Sequence, residues 1–193
     1  MGGAGTAPPF PPRPLEPAPE QMAALEAKRV LLRSPPEEAN GSRTGRAEAL
    51  VLFEQPRDRV LELLAAPARQ AEYRPELKRL QVIEHANGVA VVEHEVRFML
   101  TRLRYWTRQT VDRDAGRIWW TLDPERRSEL AALDGLWELE ALGERRTLGR
   151  FTTRIDVGPA LPAFLQDYAT RRRLPEAMEM VRRWVDSGGR WRP

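Results

Sequence analysis

The sequence predicts an α+β fold: a curved antiparallel sheet of seven strands wrapped around a long C-terminal helix, with two short helices after the first strand. Three observations carry this prediction. An apolar-alternating segment is followed by two short helical patterns. Six further strand-like segments then follow one another through connections so short that neighbours must run antiparallel. The chain closes on a long stretch with apolar residues at helical spacing.

The elements follow in order. Residues 1–19 are dominated by Gly, Ala and Pro, a composition too poor in apolar area to order itself, and are expected to form a disordered tail. Residues 20–44 hold a short helix from Glu20 to Lys28, a short strand from Val30 to Leu32 and a polar connector. The compact domain is expected over 45–187, with a short tail at 188–193. Its first strand is marked by Ala49, Val51 and Phe53 alternating with Leu50, Leu52 and Glu54. Pro56 then opens a helix with Val60, Leu61, Leu63 and Leu64 on its apolar side, and 67–75 reads as a second helical turn closed by Pro75. Strands are expected at 77–84, 89–100, 102–112, 117–122, 130–140 and 147–157, with Asn87-Gly88 as the strongest hairpin turn. A final helix over 161–186 carries Leu161, Phe164, Leu165, Tyr168, Leu174, Met178, Val181 and Val185, and Pro175 is expected to kink or divide it.

Composition removes several function classes. The 193 residues include no cysteine and only two histidines, His85 and His94, so disulfides, thiolate metal sites, cysteine nucleophiles and histidine-rich metal centres are excluded; no metal or cofactor is expected. Of 31 basic side chains 29 are arginine, but 28 acidic residues are interleaved with them, which argues for a mixed-charge surface and against nucleic-acid binding. The densest basic run, Arg171-Arg172-Arg173, is the place where an acidic lipid headgroup could make peripheral contact. There is no apolar run of membrane-spanning length and no signal-peptide pattern, so a cytoplasmic location is expected.

Three segments carry a family likeness: "FEQPRDRVLELLAAPARQAEYRPELKRLQVIE", "GLWELEALGERRTLGRFTTRIDVGPALPAFL" and "RRLPEAMEMVRRWV". With Pro56 opening the first helix, Gly135 and Trp137 forming a Gly-x-Trp strand, and Pro175 interrupting the last helix, residues 46–186 resemble the START-like (SRPBCC) superfamily, in particular its polyketide cyclase/dehydrase and coenzyme-Q-binding branch. The resemblance implies a helix-grip fold with a cavity between sheet and C-terminal helix. It does not select one activity, because this architecture serves carriers, receptors and cyclases alike.

Strand alternation indicates which side chains face that cavity. His94 shares a face with Val92 and Val96, while Tyr105, Thr107 and Gln109 share one on the next strand. Trp120, Trp137, Phe151 and Thr153 complete an aromatic and aliphatic wall. These eight are the candidate ligand-binding residues, in a cavity expected to be of the ordinary ~300–1,000 Å³ class. Either a ligand satisfies the polar members or they satisfy one another. No catalytic residue is assigned: Ser34, Ser42, Ser128 and Ser187 lie in connectors, which leaves no serine triad, and Glu93 and Glu95 point outward as solvated charge. The expected function is binding or transfer of a hydrophobic small molecule such as a lipid, quinone or polyketide. One alternative is an aromatase/cyclase-like enzyme moving protons with His94 or Tyr105; another is a partner-binding module using the proline-rich tail and basic C-terminal helix.

Overall fold

The structure is a computed structural model that describes residues 7–33, 45–98, 101–156, 158 and 174–193. Its elements are α1 (Pro19–Glu26), β1 (Leu31–Arg33), β2 (Gly45–Phe53), α2 (Arg57–Leu64), a 3₁₀ turn (Pro67–Glu72), β3 (Leu77–Ala86), β4 (Val89–Phe98), β5 (Thr101–Asp112), β6 (Arg117–Leu122), β7 (Ala132–Leu142), β8 (Arg146–Asp156) and α3 (Leu174–Asp186). The strands form one sheet in the order β1-β2-β8-β7-β6-β5-β4-β3, and every neighbouring pair is antiparallel.

The sheet has eight strands where seven were expected. The eighth is β1, which pairs with β2 in the register Leu31↔Leu50 and Leu32↔Ala49 and so covers an edge that would otherwise expose unpaired backbone groups. The β3–β4 hairpin turns at Asn87 (φ 54°) and Gly88 (φ 76°), the two positive φ values that a type I′ turn requires.

The inner face of the sheet packs on α2 and α3. Leu174, Met178, Val181 and Val185 recur on one side of α3, and with Trp184 they join Phe53, Val60, Leu61, Leu63, Ile118 and Trp137 in the main core. Pro175 is the second residue of α3 as described, a first-turn position where its missing N–H costs nothing. The rest of the expected final helix, 161–173, with the expected kink and the Arg171-Arg172-Arg173 run, lies outside the described residues.

The outer face is also covered, by residues that fall within the 1–19 segment expected to be a tail, of which the structure describes 7–19. Residues 7–18 lie along it as an extended strap: Phe10 is buried with Trp119 and Leu136, and Arg46 sits over its ring at 5.0 Å. Arg150 donates from Nη1 to the Pro14 carbonyl (3.1 Å) and from Nη2 to the Arg13 carbonyl (2.5 Å), while Arg13 pairs with Glu48. Helix α1 continues the cover, placing Leu25 against Leu50, Leu52 and Leu148. Composition missed this because one aromatic, one ion pair and a few main-chain carbonyls hold the strap. Pro-rich backbone loses little entropy when it docks in extended form.

Candidate functional site

A cavity of about 210 Å³ lies between the inner face of the sheet, α2, the 3₁₀ turn and α3. It falls below the ~300–1,000 Å³ expected of a drug-sized pocket. All eight residues singled out from alternation line it: His94, Tyr105, Thr107, Gln109, Trp120, Trp137, Phe151 and Thr153. The pleat explains this. Odd-numbered positions on β5 and even-numbered positions on β4 meet across the ladder, with His94 opposite Tyr105 in the register.

The aromatic wall is built on β6–β8. Trp137 and Phe151 are directly paired across β7 and β8, their ring centroids 5.0 Å apart, and Trp120 lies 5.9 Å from Phe151. Trp120 also fixes the identity of its neighbour on β7. Gly135 is opposite Trp120 in the register, and a Cβ there would collide with the indole, so the Gly-x-Trp pattern of the sequence is a seat for a second tryptophan.

The polar residues make contacts of their own. His94 Nε2 and Thr107 Oγ1 are 3.0 Å apart, and the imidazole stacks on Tyr105 with centroids at 4.8 Å and rings tilted by 10°. Gln109 Nε2 donates to the Ala65 carbonyl at the end of α2 (2.9 Å), and Thr153 Oγ1 donates to the Asp134 carbonyl (3.0 Å). Gln109 and Thr153 therefore both tie the wall together through backbone carbonyls.

Alternation did not reveal a further group. Gln70, Tyr73, Arg74 and Glu76, from the 3₁₀ turn and the segment before β3, also line the cavity. Arg74 donates from Nε to Glu76 Oε1 (2.8 Å) and from Nη1 to Gln70 Oε1 (3.1 Å), and it lines the same cavity as Tyr105. In sequence these residues stand in a connector without period, among many other arginines, and only the fold turns them inward.

The electrostatics follow from burial and from Arg74. Burial, with a smaller contribution from the Arg74 charge, pushes the His94 imidazole down to about 3, so it is neutral at physiological pH. Burial raises the Tyr105 phenol, with Arg74 pulling the other way, and pushes Tyr73 up to about 12. Burial also opposes the charge of Arg74, but Glu76 and the surrounding phenols outweigh it and hold the guanidinium protonated. The Nδ1 of His94 is buried and has no hydrogen-bond partner in the structure.

Glu93 corrects a further expectation. It lies on the outer face, as alternation requires, but it is buried and accepts from Arg104 Nε (2.6 Å) in place of water. Among the described residues there is no group of three or more His, Asp or Glu side chains placed to hold a metal ion, and no helix is long and apolar enough to cross a membrane.

An antiparallel sheet packed on a C-terminal helix, with a cavity between them, is a helix-grip fold. No protein-family model matches the sequence, and no curated protein matches it. Solved structures do. A fragment of the STAR-related lipid transfer protein of Xanthomonas axonopodis superposes with a TM-score of 0.65 at 11% identity, covering 81% of this chain and 98% of that one. The Zhui aromatase/cyclase of Streptomyces sp. R1128 gives 0.60 at 18% identity, covering 72% and 92%. A START superfamily protein of Mycobacterium smegmatis gives 0.58 at 14%, covering 72% and 98%.

Proposed function

We propose that this chain binds a hydrophobic small molecule, of the lipid, quinone or polyketide kind, in the cavity between sheet and α3, and holds or transfers it. The observation that carries this reading is the composition of the cavity: a wall of Trp120, Trp137, Phe151 and Met178 facing a small set of anchored polar groups. Such a concave, mostly apolar surface with few polar groups is how small-molecule sites are built. A core intended only for stability would pack to near-crystalline density and leave no such space. The fold neighbours, which include a lipid transfer protein and an aromatase/cyclase, are consistent with it. His94, Tyr105, Thr107, Trp120, Trp137 and Phe151 are the proposed contact residues, with Gln109 and Thr153 bracing the wall.

The test uses N-phenyl-1-naphthylamine, an uncharged dye that brightens in apolar surroundings. The protein is expected to bind it, and Ala177→Phe, which fills the cavity from α3, is expected to abolish the signal with the circular dichroism spectrum unchanged. Equal dye binding by both proteins places the dye elsewhere and overturns the proposal.

A further inference from the structure

The two edges of the sheet are finished differently. At one, the three-residue strand β1 pairs with β2. At the other, the ten-residue strand β3 pairs with β4, and no strand lies on its far side among the described residues. Beyond Leu77, none of its main-chain groups is hydrogen-bonded to a loop or turn among those residues. Most of a long strand is thus open to pairing with another chain.

The side chains on this edge do not repel a second strand. An edge kept apart from other chains carries charges of one sign or turns a charge towards the apolar face. On β3 the apolar face holds Leu80 and Val82, opposite His94 and Val92 of β4, and Val82 is one of two large apolar side chains, with Leu32, that are exposed among the described residues. The outer face holds Arg79, Gln81 and Glu84, opposite Glu95, Glu93 and Val91, and all three are exposed.

These residues are self-complementary about Gln81. The register with β4 shifts between Val82 and Glu84, so Ile83 is the bulged residue; with it set aside, Leu80 and Val82 flank Gln81, and Arg79 and Glu84 stand one place further out. An antiparallel second copy with Gln81 facing Gln81 sets each Leu80 beside the other chain's Val82 and each Arg79 beside the other chain's Glu84, twice over by symmetry. Within its own chain Glu84 meets Arg126 through Oε2 at 3.6 Å, and its side chain stays 62% exposed, which leaves Oε1 for the incoming guanidinium. The opposite edge is a poorer partner. β1 offers three residues, and a β3-to-β1 contact adds chain after chain without closing.

We infer that two copies of this chain pair through β3, antiparallel about a two-fold axis at Gln81, joining their eight-stranded sheets edge to edge. The inference stands apart from the binding function proposed above.

Sedimentation velocity of the unaltered protein at rising concentration is expected to show a monomer–dimer equilibrium, and a monomer at every concentration overturns the inference. The chain has no cysteine, so a single introduced one reports a single contact. Gln81→Cys is expected to give a covalent dimer on mild oxidation, because side chains facing across the axis have Cβ atoms only about 4.5–5.5 Å apart. Lys78→Cys is expected to stay monomeric under the same oxidation, because this register holds its two copies ~20 Å apart. Arg79→Glu and Glu84→Arg are each expected to lose the dimer and, when mixed, to recover it, since the exchanged positions are then acidic on one chain and basic on the other. A dimer that survives either single exchange, a mixture that stays monomeric, or cross-linking at position 78 as ready as at 81 places the contact elsewhere and overturns the inference.

Discussion

Gln109 shows how a residue's partner decides its role. Alternation places it among the cavity-facing groups, and the structure agrees, but its amide N–H is spent on the Ala65 carbonyl at the C-terminal end of α2. Replacing it with leucine removes the donor and leaves that helix-end carbonyl without its side-chain partner. Gln109→Leu is therefore expected to lower stability by about 1–3 kcal/mol in a urea titration while changing dye affinity less than twofold. An unchanged unfolding midpoint with lost dye binding would make Gln109 a ligand contact after all.

At the scale of elements, the strap of residues 7–18 accounts for an otherwise costly set of buried charges on the outer face. Glu48, Glu138 and Arg150 are each about 5% exposed or less, and Arg150 pairs with Glu138 through Nε at 2.8 Å. Burial of an ion pair is tolerable only when its remaining hydrogen-bonding positions are filled. The carbonyls of Arg13 and Pro14 do this for Arg150, and the Arg13 guanidinium does it for Glu48. The same strands carry Trp137 and Phe151 on their inner face, so the strap braces the sheet behind the aromatic wall of the cavity. Deleting residues 1–14 is expected to cost at least ~1 kcal/mol, seen as a fall of ~2–4 °C or more in Tm, with Phe10→Ala giving a large part of it. A Tm unchanged within 1 °C (about the resolution of such a comparison) would show the strap to be idle.

At the scale of the whole molecule, stability should depend on pH through His94. Its folded-state pKa of about 3 lies below the ordinary value of 6.5, so the unfolded chain binds the proton more readily. Stability contributed by the neutral imidazole is complete above pH ~6.5 and is lost as pH falls towards the folded value, with a slope of up to about 1.4 kcal/mol per pH unit. The depressed carboxylates Glu72, Asp123 and Glu179 titrate below the ordinary carboxylate range and add their losses at lower pH. Burial raises the Asp186 carboxyl, which works in the opposite direction as pH falls, so a net decline between pH 6.5 and 5 belongs to His94. Denaturant titrations over that interval should show it for the unaltered protein and a flatter profile for His94→Gln. Parallel profiles would mean that the imidazole is hydrated or charged in the folded state.

Much of this architecture was legible because its signals are periodic. The alternation through Ala49, Val51 and Phe53, the Asn87-Gly88 turn and the helical spacing of Met178, Val181 and Val185 each report a local geometry that the backbone must adopt wherever the element sits. For the same reason the sequence by itself determined the sheet, its hairpins and the side on which His94, Tyr105, Thr107 and Gln109 fall. It could not determine what those side chains touch. Pairing of Gln109 with Ala65 and docking of Phe10 against Trp119 and Leu136 join positions 44, 109 and 126 residues apart, and the inward turn of Arg74 brings it to the cavity that Tyr105, 31 residues on, also lines. No period in the chain encodes such contacts. Only the tertiary structure decided them, because the partner of a buried polar group and the cover of an apolar face are fixed by which distant segments the closed sheet brings together.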